Sequence, residues 1–158
     1  MEQQPDAVFV AKDHDRFDDA ISYPHGRFDL KVSAKDTDGA LCIYELHHTK
    51  IAGPGFHLHH EQDEWFFVIE GDFVFQVGEK TYKVGPGASL FAPRKVPHAF
   101  VNTTNTGKLI ILLQPAGTIE QLFRVGGAKQ NVTAEERHAL NRAHGLESVG
   151  PPLMVPGR

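Results

Sequence analysis

The stretch HLHHEQDEWFFVIEG, from His57 to Gly71, sets three histidines and three acids directly ahead of an apolar run that reads as a buried β-strand. Imidazole and carboxylate are costly to bury unless something compensates them. Along a strand, residues two apart share a face, so His57 and His59 point one way while Leu58 and His60 point the other. Two imidazoles on one face can share an ion. Glu64 has the wrong parity on a continuous strand, but the polar residues Glu61, Gln62 and Asp63 sit where a turn or bulge resets the face. After that reset Glu64, Phe66 and Val68 point inward, and Trp65, Phe67 and Ile69 outward. The later strands hold one further histidine, His98, at a loop-strand junction after Pro93 and Pro97. Three neutral imidazoles and one carboxylate form a site for a divalent transition metal, with room for water or substrate.

Outward from this stretch the chain continues as short strands separated by turn signals. RFDLKVSA and ALCIYELHH read as a hairpin joined through Asp38-Gly39, residues that tolerate positive φ. IAGPGF breaks the pattern before the histidines, and Gly71, Gly78-Glu79 and Gly85-Pro86-Gly87 punctuate the strands after them. KLIILLQ, from Lys108 to Gln114, is apolar on both faces, as expected of a strand between layers. From Arg27 to Gln114 the reading counts about eight strands with almost no helical periodicity, which predicts an all-β sandwich or jelly-roll barrel. Helical features are confined to the C-terminal part. Thr133 and Glu136 form a capping-box pair and Gly145 marks a stop, predicting a helix over 134–144 and an extended tail beyond.

At 158 residues and 17.5 kDa the chain suits one domain. The expected layout is an N-terminal extension over 1–26, a β-barrel over 27–125, and a C-terminal helix and tail over 126–158. The net charge of −4 is spread over interspersed residues, so neither nucleic acid nor a membrane surface is an expected partner. The single cysteine, Cys42, cannot close an internal disulfide and agrees with a reducing compartment. The N-terminus lacks a basic region followed by an apolar one, and no apolar stretch approaches the roughly 20 residues that span a bilayer. A cytoplasmic location is the expectation. Of the ten histidines, His14, His25, His138 and His144 lie among polar residues and read as solvated imidazoles. His47 and His48 end a strand, so one of them must face inward.

The pattern His57-x-His59-x4-Glu64-x6-Gly71 resembles the first motif of the cupins, and Gly87-x5-Pro93 followed by His98-x3-Asn102 resembles the second. The ending RHALNRAHGLESVGPPL is similar to that of small quercetin-dioxygenase-like cupins. Two turn positions depart from the motifs: Ile51 stands where a glycine is usual, with Gly53 and Gly55 nearer the histidine, and Lys95 stands where a turn glycine is usual. Neither is a ligand. The resemblance implies a single cupin-type double-stranded β-helix with a C-terminal helix. It further implies one divalent transition metal (Fe, Mn, Ni, Zn or Cu) on His57, His59, Glu64 and His98.

Such a centre suits a dioxygenase acting on a small molecule that bears an enol or phenol, with Glu64 also serving as the catalytic base. Two other readings share the ligand set: an isomerase or lyase of a carbonyl substrate, and a barrel that binds a small ligand without turnover. Phe66, Phe75, Phe100 and Asn102 are candidate pocket residues. Arg94 and Lys95 stand where an anion could approach the mouth. The outward row Trp65, Phe67 and Ile69 is a larger apolar patch than a monomer usually exposes, so a homodimer with Trp65 near its interface is expected.

Overall fold

The computed structural model describes residues 4–155. The hairpin read from the sequence is present. Strand β1 (Ile21–Tyr23) pairs with β2 (Gly26–Val32), which pairs with β3 (Cys42–His48), all antiparallel. Its connection takes a single 3-10 turn at Ala34–Asp36, capped by Ser33, and passes through Asp38 and Gly39 at φ of 52° and 79°. Then come β4 (Gly55–His59), β5 (Asp63–Glu70), β6 (Phe73–Val77), β7 (Lys80–Val84), β8 (Ser89–Ala92), β9 (His98–Asn102) and β10 (Gly107–Gln114). These strands form two antiparallel sheets, in the order β1-β2-β3-β10-β5-β8 and, with the C-terminal strand β11 (Leu146–Pro152) at its edge, β11-β4-β9-β6-β7. The result is the all-β jelly-roll barrel expected from the sequence.

Period-two alternation builds the core. On β3, Cys42, Tyr44, Leu46 and His48 are buried, and on β10 Leu109, Ile111 and Leu113, each alternating with half-buried neighbours. Phe66 and Val68 on β5 meet Phe73 and Phe75 from the other sheet, all at most 1% exposed. Strand β10 is not enclosed between layers. Its second face carries Lys108, Ile110 and Leu112, which are only half-buried.

The C-terminal part holds one helix more than the sequence predicts. Helix α2 (Ala134–Ala143) starts at the expected capping box: the Glu136 N–H donates to Thr133 Oγ at 3.1 Å and the Thr133 N–H to Glu136 Oε2 at 2.7 Å. It ends before Gly145, whose φ is 78°. The unexpected helix is α1 (Ile119–Ala128), containing Gly126 and Gly127. Those glycines weaken helix propensity, yet here they permit close packing, since a Cβ at Gly127 would sit 2.3 Å from Ile21 Cγ2. Burial of Ile119 and Leu122 and the hold of Glu120 on Ser33 and Ala34 outweigh the propensity cost. The extended tail read beyond Gly145 is the strand β11. No helix among the described residues is long and apolar enough to cross a membrane.

Candidate metal centre and its chamber

Three short elements bring the four candidate ligands together. His57 and His59 share the inner face of β4, Glu64 opens β5 on its inner face, and His98 opens β9 opposite His57. The loop of His60, Glu61 and Gln62 separates β4 from β5 and performs the change of face that Glu64 requires. One donor atom from each side chain lies within 4.8 Å of the others. Glu64 Oε2 is 3.0 Å from His59 Nε2 and 4.0 Å from His57 Nε2, and it contacts His98 Nε2. His59, Glu64 and His98 are each at most 4% exposed.

The opposite nitrogens are tied off. His57 Nδ1 donates to the Gly55 carbonyl at 2.8 Å, His98 Nδ1 to the Val96 carbonyl at 3.1 Å, and His59 Nδ1 to Gln62 Oε1 at 3.0 Å. Because carbonyls only accept, a ring proton sits on Nδ1, and Nε2 is the nitrogen left facing Glu64. His59 Nε2 is fully enclosed with no well-aligned hydrogen bond. A buried orphan nitrogen beside a carboxylate and two more Nε2 atoms is a donor set that fits a divalent transition metal.

Within the cluster, burial works against the charges of its own members. Burial alone would raise the Glu64 pKa, but the imidazoles of His59 and His98 hold it well below its ordinary value, so it is a carboxylate. Burial, reinforced by His98, pushes His57 down to about 4 and keeps it neutral. For His59, burial favours the neutral ring, yet Glu64 and Gln62 together raise its pKa above the ordinary value.

His57, His59 and Glu64 line a cavity of about 570 Å³, and His98 stands behind them, outside its lining. Its walls include Phe28, Leu46, Phe100 and Ile111, and α1 and α2 roof it with Leu122, Phe123 and Leu140. Of the candidate pocket residues, Phe100 lines this cavity, whereas Phe66, Phe75 and Asn102 do not. Phe66 packs edge-on against the His98 ring at 6.1 Å, and Phe75 is wholly buried behind it. Asn102 ties down the approach to β4, accepting from Ala52 N and donating to the Lys50 and Thr104 carbonyls.

Outside the cluster, His47, His60 and Arg94 have definite partners. His48 faces inward, and His47 outward to Glu45 and Asp29 at 2.7 and 3.1 Å. His60 is exposed and pairs with Glu147. Arg94 is engaged by Asp63 at 2.9 Å rather than free for an anion. His25, read as a solvated imidazole, is half-buried in the cavity wall because its ring, at the β1–β2 turn, packs beside Tyr23, Phe28 and His48. Gln62 was not singled out by sequence reasoning; its one signal was a neutral amide among acids three residues from His59. Both motif departures are absorbed by the backbone. Lys95 adopts φ of 66°, the left-handed conformation a glycine would take, and its N–H donates to the His59 carbonyl at 2.7 Å. Gly53 supplies the close approach, since a Cβ there would lie 1.7 Å from the Phe100 carbonyl oxygen.

Residues 45–114 match the cupin domain family, and they include all four candidate ligands. No curated protein sequence matches the chain. Among solved structures, KdgF from Halomonas sp. is similar over 70% of this chain and 94% of its own, at 19% identity and a TM-score of 0.60. An RmlC-like cupin from Shewanella frigidimarina is similar over 62% of this chain and 84% of its own, at 23% identity and a TM-score of 0.55. A predicted oxalate decarboxylase from Thermotoga maritima is similar over 57% and 80%, at 17% identity and a TM-score of 0.53. At these identities the likeness is one of fold. The family match thus spans the barrel's central strands, less than half of the chain, and the solved structures share its fold.

Proposed function

We propose that the chain is a metal-dependent dioxygenase of the quercetinase-like kind, acting on a small molecule that bears an enol or phenol. His57, His59, Glu64 and His98 would hold the ion, which is one of iron, manganese, nickel, zinc or copper. The observation that carries this reading is the convergence of three Nε2 atoms and one carboxylate at the end of a largely apolar, partly aromatic cavity. A bound ion supplies Lewis acidity that favours the oxyanion of an enol or phenol. Glu64, on detaching from the ion, is the base in this reading and takes the proton of the substrate hydroxyl. Phe28, Leu46, Phe100 and Ile111 receive the apolar body of the substrate and exclude water from it.

The test is anaerobic purification with metal analysis, followed by oxygen-uptake measurements against flavonols, catechols and diketones. Metal-dependent uptake with one of these classes is the expected result. Turnover of a carbonyl substrate without uptake would instead identify an isomerase or lyase, and tight binding without turnover a ligand-binding barrel.

The assembly inferred is a cytoplasmic homodimer. On the outer face of the first sheet Trp65 stacks on Phe67 at 5.8 Å, Trp65 lies between Leu112 and Phe91 in the strand register, and Phe67 lies beside Ile110. Phe91 and Ile69 are 53% and 40% exposed. The N-terminal segment over 7–11, a candidate to cover this face, leaves Phe9 89% exposed. A second copy of the chain covers such a patch.

A further inference from the structure

The cavity has a second polar end that the ligand tetrad does not use. His48 closes β3 with its side chain on the inner face, is 4% exposed, and forms part of the cavity wall. Its Nδ1 is enclosed without a hydrogen-bond partner. A buried polar atom left in that state costs about 1 to 3 kcal/mol. The groups around it are aromatic: Phe73 and Phe100 lie edge-on at 5.6 and 6.1 Å, and the His25 ring is 5.7 Å away. His25 also lines the cavity, packed against Tyr23 and Phe28.

The chemistry of this end favours an uncharged oxygen. Burial lowers the pKa of His25, and burial together with the neighbouring imidazoles pushes His48 down to about 4. Two neutral imidazoles can each donate and accept, which suits a hydroxyl or carbonyl. A carboxylate would draw a proton onto a ring that its surroundings keep neutral.

The two polar ends are well separated. On β10, His48 lies opposite Gly107 at the start and Glu64 opposite Leu113 near the finish. Phe100 stands between them, 6.1 Å from His48 and 5.6 Å from Phe66, whose ring is 6.1 Å from His98.

We propose that His48, assisted by His25, recognises a second oxygen of an elongated flat ligand. Its first oxygen lies at the tetrad and its apolar body lies against Phe28, Leu46, Phe100 and Ile111. The identity of the first oxygen, an enol or phenol, rests on the proposed function. The second oxygen is a hydroxyl or carbonyl at the far end.

The probes are 3-hydroxyflavone and its 4′-hydroxy derivative, which share the enol end and differ by one hydroxyl at the other. Binding to the metal-loaded full chain is measured under argon by flavone absorbance and fluorescence, for wild type, His48→Phe and His25→Phe. One net hydrogen bond corresponds to a preference of up to about tenfold for the 4′-hydroxy compound in wild type. His48→Phe should bind both compounds alike, at the affinity of 3-hydroxyflavone, and His25→Phe should narrow the preference. In wild type labelled with ¹⁵N-histidine, only the 4′-hydroxy compound should shift the His48 ring nitrogens, a readout that holds even if a variant fails to fold. Equal binding by wild type, a full preference surviving in His48→Phe, binding of neither compound, or an unmoved His48 signal overturns the proposal. Preference without oxygen uptake sinks the dioxygenase reading alone, and uptake without preference sinks this one alone.

Discussion

Gln62 and His59 are joined through the amide Oε1 and the imidazole Nδ1, 3.0 Å apart, and this contact decides which nitrogen of His59 faces Glu64. The amide cannot be the other way round. Its Nε2 donates to the carbonyls of Pro115 and Ala116 at 2.8 and 2.6 Å, leaving Oε1 to accept. One neutral side chain therefore connects a candidate ligand to the end of β10.

Gln62→Leu should weaken metal binding. Losing a partner that orients a metal-binding imidazole typically costs about 10- to 100-fold in affinity. Competition titration with a chromophoric chelator measures it. Affinity within about twofold of wild type would mean that His59 is oriented by packing alone.

His59→Ala should abolish metal retention on gel filtration while the barrel stays folded, because the core of Tyr44, Phe66, Phe73 and Phe75 is apolar and independent of any ion. Metal analysis and urea unfolding read the two effects separately. Loss of cooperative unfolding in this variant would show that the ion holds the fold together.

His48 predicts a pH dependence of stability. Its pKa is about 4 in the fold against an ordinary 6.5, so between those values the native state binds fewer protons than the unfolded chain. Stability then rises with pH across this window and is lost as the pH falls through it, by at most about 1.4 kcal/mol per unit. Above the window His48 contributes no slope. His48→Phe should flatten that part of the curve when metal-free wild type and variant are unfolded in urea at pH 4 to 7. Identical slopes would contradict the burial of a neutral ring.

Trp65→Glu places a charge in the apolar outer face of the first sheet. Sedimentation at micromolar concentration should show dimer for wild type and monomer for the variant, with thermal unfolding still cooperative. A single 17.5 kDa species for wild type would show that the patch needs no partner.

Legibility followed periodicity. The inward set Glu64, Phe66 and Val68 and the outward set Trp65, Phe67 and Ile69 are where strand alternation puts them, because a half-buried sheet repeats every two residues. The same rule could not separate Phe100 from Phe66 and Phe75. All three face inward, and only the packing of the opposite sheet decides which inward residue meets a cavity. Helix α1 was not expected: Gly126 and Gly127 are weak helix formers, and what they permit, contact with Ile21 and Tyr23, depends on residues about a hundred positions away. His48 was one of two adjacent histidines until the register with Gly107 set its face.

The strand that carries His57 and His59 is held mainly by the tail of the chain. Strand β4 meets β9 in register only at His57 and His98, whereas Leu146 lies opposite His59 and Ser148 opposite His57 on β11. The segment that matches the cupin family ends at residue 114, well before β11 begins. Family boundary and folding unit thus differ. A fragment stopping at Gln114 would keep all four candidate ligands in its sequence and lose most of the backbone pairing that aligns two of them.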